Sequence, residues 1–277
     1  MLKDLLVQIP SERPVRPVVD AAISLAMNHS AHLDAVSVGL ESTNIGVAVD
    51  GAAAVAAVFD VERERALARA NAALAVFESE ARNADIGYSL QALTAVPVEA
   101  FATLGAMARL YDLSIVMQSD PDHTTSENMV PAEMLFQAGG PVLFIPYTHK
   151  GPLTARHVGI AWDGSRLAAR ALRDAAPFIA QADAVTVVSI NAAELPEEAS
   201  VQNLTTHLTR RGVKPRIERL SAEASDVQPT ILSVAADSGI DLIVMGGYGH
   251  SRLQERILGG VTRGMLESMT VPTLMSH

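Results

Sequence analysis

The sequence predicts an α/β fold of two doubly wound, five-stranded parallel sheets, each with strand order 3-2-1-4-5. Three observations predict it. Short β-branched runs alternate with stretches of helical periodicity along all 277 residues, the pattern of parallel strands joined by right-handed crossovers. The series runs once, stops at a linker, and starts again. Hydrophobic residues make up 49% of the chain and charged residues 19%, which suits two ordinary globular cores.

In the first pass, strands are predicted at Leu2–Ile9, Leu33–Val38, Tyr88–Leu93, Leu113–Met117 and Pro141–Ile145. Helices are predicted at Val18–Met27, from about Val61 to Asn83, at Val98–Leu110 and at Ala132–Gln137. A Gly- and Ala-rich stretch from Ile45 to Val58 and an irregular polar segment from Asp120 to Asn128 lie between them. Thr148 to Thr154, with Lys150, Gly151 and Pro152, reads as a linker. The second pass places strands at Arg156–Trp162, Ala184–Ile190, Arg216–Leu220, Asp241–Met245 and Val271–Met275. Its helices fall at Arg166–Ile179, Ala199–Arg211 and Gln228–Ser238, with a last one carrying Val261, Met265 and Leu266 on one face. Asp34-Ala-Val-Ser-Val parallels Asp183-Ala-Val-Thr-Val, and Tyr111 to Met117 parallels Ile240 to Met245. These likenesses argue a duplication, with domains expected at residues 1–147 and 154–277.

Composition narrows the function. A net charge of −10 argues against non-specific nucleic-acid binding, which needs clustered Lys and Arg. The absence of cysteine excludes disulfides, thiolate metal sites and cysteine nucleophiles, and fits a cytoplasmic setting. The start reads as a first strand instead of a signal peptide, and Val47 to Val58 is too short to span a bilayer and is interrupted by Asp50. No membrane partner is expected.

Chemistry concentrates near the end, in Met245-Gly-Gly-Tyr-Gly-His-Ser-Arg-Leu-Gln-Glu-Arg-Ile-Leu-Gly-Gly-Val-Thr262. A strand, a glycine loop and a helix start offer clustered backbone N–H groups and a positive dipole end, a cradle for phosphate. A plain strand-to-helix connection would use the same glycines. Ligands of open doubly wound sheets sit where the winding reverses, here between strands one and four. Strand one of the second pass ends at Trp162-Asp163-Gly164-Ser165. Asp163 can accept hydrogen bonds from a base or sugar; it and Ser165 also suit the N-cap of the next helix.

With those residues in view, the second half resembles a nucleotide-binding universal stress protein domain. That family's Gly-x2-Gly-x9-Gly-Ser/Thr loop is matched by Gly246, Gly249 and Gly259. The resemblance implies a Rossmann-like fold of the adenine nucleotide alpha hydrolase type, and a tandem two-domain chain. It also implies that Asp163 contacts adenine, flanked by Ala161 and Trp162, that Ile190 borders the base or ribose, and that Met245 enters the loop beside the base. Gly246, Gly249, His250, Gly259, Gly260 and Val261 would line ribose and phosphates. Gly260 departs from the family's hydroxyl residue, with Thr262 two positions later; the N–H survives, and a neutral hydrogen bond worth about 0.5–1.5 kcal/mol is lost.

The ligand so implied is ATP, ADP or AMP, with Mg2+ or Mn2+ on the phosphates, in a stress-response sensor or switch. No Walker lysine, Ser-His-Asp order or nucleophile elbow is present, so at most slow ATP hydrolysis is expected. The alternative is a structural protein that acts through dimerisation and a protein partner without nucleotide. In the family the last strand pairs across the domain interface, which implies an intramolecular pseudo-dimer. The terminal strands of both passes, Val142–Ile145 and Val271–Met275, are expected at sheet edges. The first half is expected to have lost its site: Pro10 stands where Asp163 aligns, and Gln118 to Asp122 replaces the glycine loop. Asp120, Asp122 and His123 read as a solvated loop more than as metal ligands, and His29 and His32 as surface histidines.

Overall fold

A computed structural model describes residues 2–41, 52–247 and 260–277. The strands are β1 Asp4–Gln8, β2 His32–Leu40, β3 Tyr88–Ala95, β4 Leu113–Met117 and β5 Val142–Ile145 in the first half. The second half supplies β6 His157–Ala161, β7 Ala184–Ile190, β8 Arg216–Leu220, β9 Leu242–Gly246 and β10 Thr273–Ser276. All ten form one sheet of order β3-β2-β1-β4-β5-β10-β9-β6-β7-β8. Each half is therefore wound 3-2-1-4-5, as the alternation of strand and helix predicts.

Every neighbouring pair of strands within a half is parallel, and the halves meet where β5 and β10 pair antiparallel, Leu143 opposite Leu274. The terminal strands are edges of their own halves and pair with each other at the centre of the whole sheet, as the expected pairing across the domain interface requires. Both are fully buried; β5 accordingly reads as an unbroken apolar run, whereas β10 carries a buried Thr273 and Ser276 at its ends.

Helices cover both faces. On one lie α1 Arg16–His29, α2 Ala52–Asn83, α5 Arg166–Asp174, α6 Ala176–Gln181 and α7 Val201–Arg210. On the other lie α3 Pro97–Ala108, α4 Val130–Gln137, α8 Val227–Ser238 and a last helix, α9, Val261–Ser268. Successive strand residues feed opposite faces: Leu242 and Val244 pack with the first set, Ile243 and Met245 with the second.

Two elements differ from the sequence expectation by more than two residues at a boundary. α2 begins at Ala52, taking in part of the Gly- and Ala-rich stretch, because alanine favours helix without any amphipathic pattern to announce it. The single helix expected at 166–179 is two, since Pro177 lies in the first turn of α6 and cannot donate into the turn before it.

The two halves also match in a detail of hydrogen bonding. Asp112, one residue before β4, accepts from the N–H groups of Lys3 (2.6 Å) and Asp4 (3.2 Å). Asp241, one residue before β9, accepts from those of Arg156 (3.0 Å) and His157 (2.8 Å). Each carboxylate clamps the start of strand one to strand four in its own half.

Candidate functional site

The crevice of the second half lies beyond the ends of β6 and β9. β6 leads into a tight turn in which Asp163 Oδ1 accepts from the Ser165 N–H at 2.9 Å, and Gly164 takes the left-handed φ of 69°. Ser165 then caps α5, its Oγ accepting from the Ala168 N–H at 3.1 Å. The cap is thus Ser165, and Asp163 is left exposed, with no partner for Oδ2 among the described residues. Gly164 is a site-shaping residue that the sequence reading passed over, although an Asp-Gly pair is a turn signal.

The apolar side of this opening is built from alternate strand residues. Ala161, Ile190 and Met245 share the sheet face covered by α8 and α9, and Val261 packs there too. Trp162 does not join them. Its indole turns to the opposite face and donates to Ala199 O at 2.8 Å, so only its backbone borders the crevice. Its N–H pairs with Val188 O at 2.9 Å.

The glycines at the end of β9 have packing roles of their own. A Cβ at Gly246 would stand 2.7 Å from Ala168 N and 2.8 Å from Leu167 C, the backbone of α5's first turn. One at Gly247 would stand 2.7 Å from Leu135 Cδ2, on α4 of the first half. Neither needs positive φ; close approach of backbone is the reason at Gly246, while Gly247 meets the end of a buried leucine side chain. Gly247 is held further by its N–H to Ser276 O (2.9 Å) and by a bond between its carbonyl and His277 Nδ1 (3.1 Å). The His277 ring packs edge-on against Phe136 of α4, with centroids 5.0 Å apart. Arg170 of α5 donates to His277 O (2.9 Å) and to Gly139 O of the first half. The root of the glycine loop therefore stands on both halves.

Gly249, His250 and Gly259 lie outside the described residues, as do Arg252 and Arg256. The description resumes at Gly260, the N-cap of α9, which has no side-chain cap; Thr262 in its first turn is buried. Of the twelve residues singled out, the structure brings together Ala161, Asp163, Ile190, Met245 and Gly246 at the strand ends. The described side chains include no group of three His, Cys, Asp or Glu able to hold a metal ion.

The corresponding crevice of the first half is filled by the chain itself. Glu127, 1% exposed, accepts at Oε1 from the Ser11 N–H (2.6 Å) and hydroxyl (2.9 Å), and at Oε2 from the Glu12 N–H (3.3 Å) and Arg13 Nε (3.4 Å). Arg13 also donates to Gln118 O at 2.8 Å. Burial pushes the Glu127 carboxyl up and the Arg13 guanidinium down from their ordinary values, and their mutual contact pulls each back. Asp120 is buried, holding His123 Nδ1 at 2.7 Å and the Asp122 N–H at 3.0 Å, while Asp122 and His123 are exposed, as a solvated loop would have them. His29 is likewise buried, edge-on to Phe178 at 5.8 Å, not a surface histidine.

The universal stress protein family model matches residues 154–277. The universal stress protein Slr1230 of Synechocystis is 30% identical over 125 residues, covering 44% of this chain and 42% of that protein. The universal stress protein MJ0577 of Methanocaldococcus jannaschii is 29% identical over 69 residues, covering 23% of this chain and 43% of that one. The matched segments thus span less than half the length of either relative. A crystal structure of a universal stress protein from Archaeoglobus fulgidus superimposes over 98% of this chain and 97% of its own, with a TM-score of 0.71 and 14% identity, a likeness of fold.

Proposed function

From a second half, residues 154–277, that is a domain of the universal stress protein family, we propose that this chain binds one adenine nucleotide there and serves as a stress-response sensor or switch. In this reading residues 1–147 are a companion domain that keeps the fold without the site. The observation that carries the proposal is Asp163: an exposed carboxylate at the end of strand one, with Oδ2 unengaged among the described residues. Ala161, Ile190 and Met245 stand on one sheet face at the neighbouring strand ends. An apolar wall with one carboxylate acceptor suits the edge of an adenine or a ribose hydroxyl. Gly260, uncapped at the start of α9, supports a phosphate position.

A divalent ion would ride on the phosphates, where it would neutralise charge; the described side chains offer it no ligand group of their own. Calorimetric titration with ATP tests the site. Asp163→Ala is expected to weaken binding about 10- to 100-fold, the value of a charge-assisted hydrogen bond, and Gly249→Val to abolish it. Equal affinities in all three proteins would sink the proposal.

A second reading, an interaction protein without nucleotide, draws on Gly246 and Gly247. Packing against backbone accounts for Gly246, and Gly247 meets a buried leucine side chain. It expects millimolar ATP to leave the melting temperature unmoved, whereas a ligand of the native state must raise it.

A further inference from the structure

We infer that the first-half crevice is an anion-binding pocket whose resident ligand is the chain's own Glu127 carboxylate, and that the pocket, once vacated, accepts a small free carboxylate. Four donors converge on this one group: the N–H groups of Ser11 and Glu12, the Ser11 hydroxyl and Arg13 Nε. Successive backbone N–H groups aimed at one point make a concavity for an anion. Arg13 shares the interior, its side chain 0% exposed. A guanidinium there is tolerated only beside a counter-charge. Glu12 is turned elsewhere, toward Arg69 at 3.4 Å and the Thr125 hydroxyl. Asp120, whose charge also favours the guanidinium, turns its oxygens to His123 and the Asp122 N–H, so Glu127 is the carboxylate in contact with Arg13.

Glu127 reaches this pocket from far along the chain, at the end of a braced strap. Asn128 accepts from the Asp120 N–H at 2.9 Å and donates to Asp120 O (2.9 Å) and His123 O (2.7 Å). The Ser119 hydroxyl donates to Asn128 O at 2.9 Å. The strap delivers its carboxylate as a tethered ligand.

A second observation marks the same place as polar interior and not as apolar core. Arg13 Nη2, Gln8 Oε1 and both side-chain polar atoms of Gln118 are buried without a hydrogen-bond partner among the described residues. Gln8 ends β1 and Gln118 follows β4, the two strands that flank the winding reversal. Buried polar groups are rarely left so. Their position is that of Ala161 and Gly247 in the second half, counted from the ends of β6 and β9. One half lines its crevice with apolar and backbone surface; the other lines it with amides and a guanidinium and closes it with a carboxylate. The inference stands whether or not the second half binds nucleotide.

Melting the full chain and its Glu127→Ala variant in sodium acetate, against sodium chloride of equal ionic strength, tests this. The variant is expected to melt about 6–20 °C lower in chloride, the loss typical of a broken buried pair. Acetate should recover part of that loss, about 2–4 °C or more, and leave the wild type unmoved. Glu127→Gln, which keeps the pocket filled, should show no acetate response. Equal response of all three proteins, or of none, would overturn the inference, as would recovery by phosphate but not acetate. Should Glu127→Ala not fold in chloride, refolding from urea in acetate is expected to restore the folded fraction; no restoration also overturns it.

Discussion

Tyr111 and Asp34 set each other's protonation. The Tyr111 hydroxyl donates to Asp34 Oδ2 at 2.5 Å, and His32 Nε2 lies 3.0 Å from Oδ1. Burial alone would raise Asp34, but hydrogen bonds from Tyr111 and Ser89, with His32 beside them, hold it below its ordinary value. Burial and the same hydrogen bond push Tyr111 up to about 12. The signs follow. A depressed carboxyl contributes stability above its ordinary value, lost as the pH falls toward its folded one; a raised phenol contributes stability below pH about 10, lost as the pH climbs toward about 12. The ultraviolet titration of the four tyrosines should therefore show one late ionisation near the last value. Asp34→Asn should bring it back toward the others, and an unchanged late step in that variant would contradict the assignment. None of this was legible beforehand. Asp34 drew notice as part of a repeated run, while its partner lies 77 residues away on another element.

Among elements, β9 is seated closely against α5 at Gly246. Gly246→Ala must push a methyl group into the backbone of Leu167 and Ala168, which cannot turn aside as a side chain could. We expect a loss of about 1–3 kcal/mol, read as a lower urea midpoint with unchanged slope. A neutral result would mean that α5 can slide outward. The glycines were visible in the sequence and so was their place after strand four; their packing partners were not, because Leu135 belongs to the other half. Elements with a strong period or a β-branched run appeared where expected. α2's alanine-rich start and the break at Pro177 did not, the first for want of an amphipathic signal, the second because apolar spacing runs straight through the proline. Glu127 gave no signal at all: an acidic residue in a polar loop reads as solvated until its partners, 114 to 116 residues away, are known.

Across the whole molecule, the sheet is continuous and each face carries one core that runs over both halves. Leu143 and Leu274 join the halves on one face, Phe144 and Met275 on the other. We expect one calorimetric unfolding transition instead of two, with calorimetric and van't Hoff enthalpies in agreement. Two resolved transitions would show that the seam between β5 and β10 is weaker than either half. The strand order and the repeat were legible in the sequence, because periodicity and local likeness survive in single strands. The joining of the halves was expected from family resemblance, and no residue pattern of β5 or β10 announces it.

The antiparallel seam has a directional consequence. Because β5 and β10 run head to tail, all strands of the first half point one way and all strands of the second point the other. The two crevices, each at the carboxyl ends of its strands, open at opposite rims of the same sheet. One rim offers a bare aspartate and glycines; the other is sealed by its own glutamate. A partner approaching from either side meets a different chemistry, so two halves of the same winding give the molecule a front and a back.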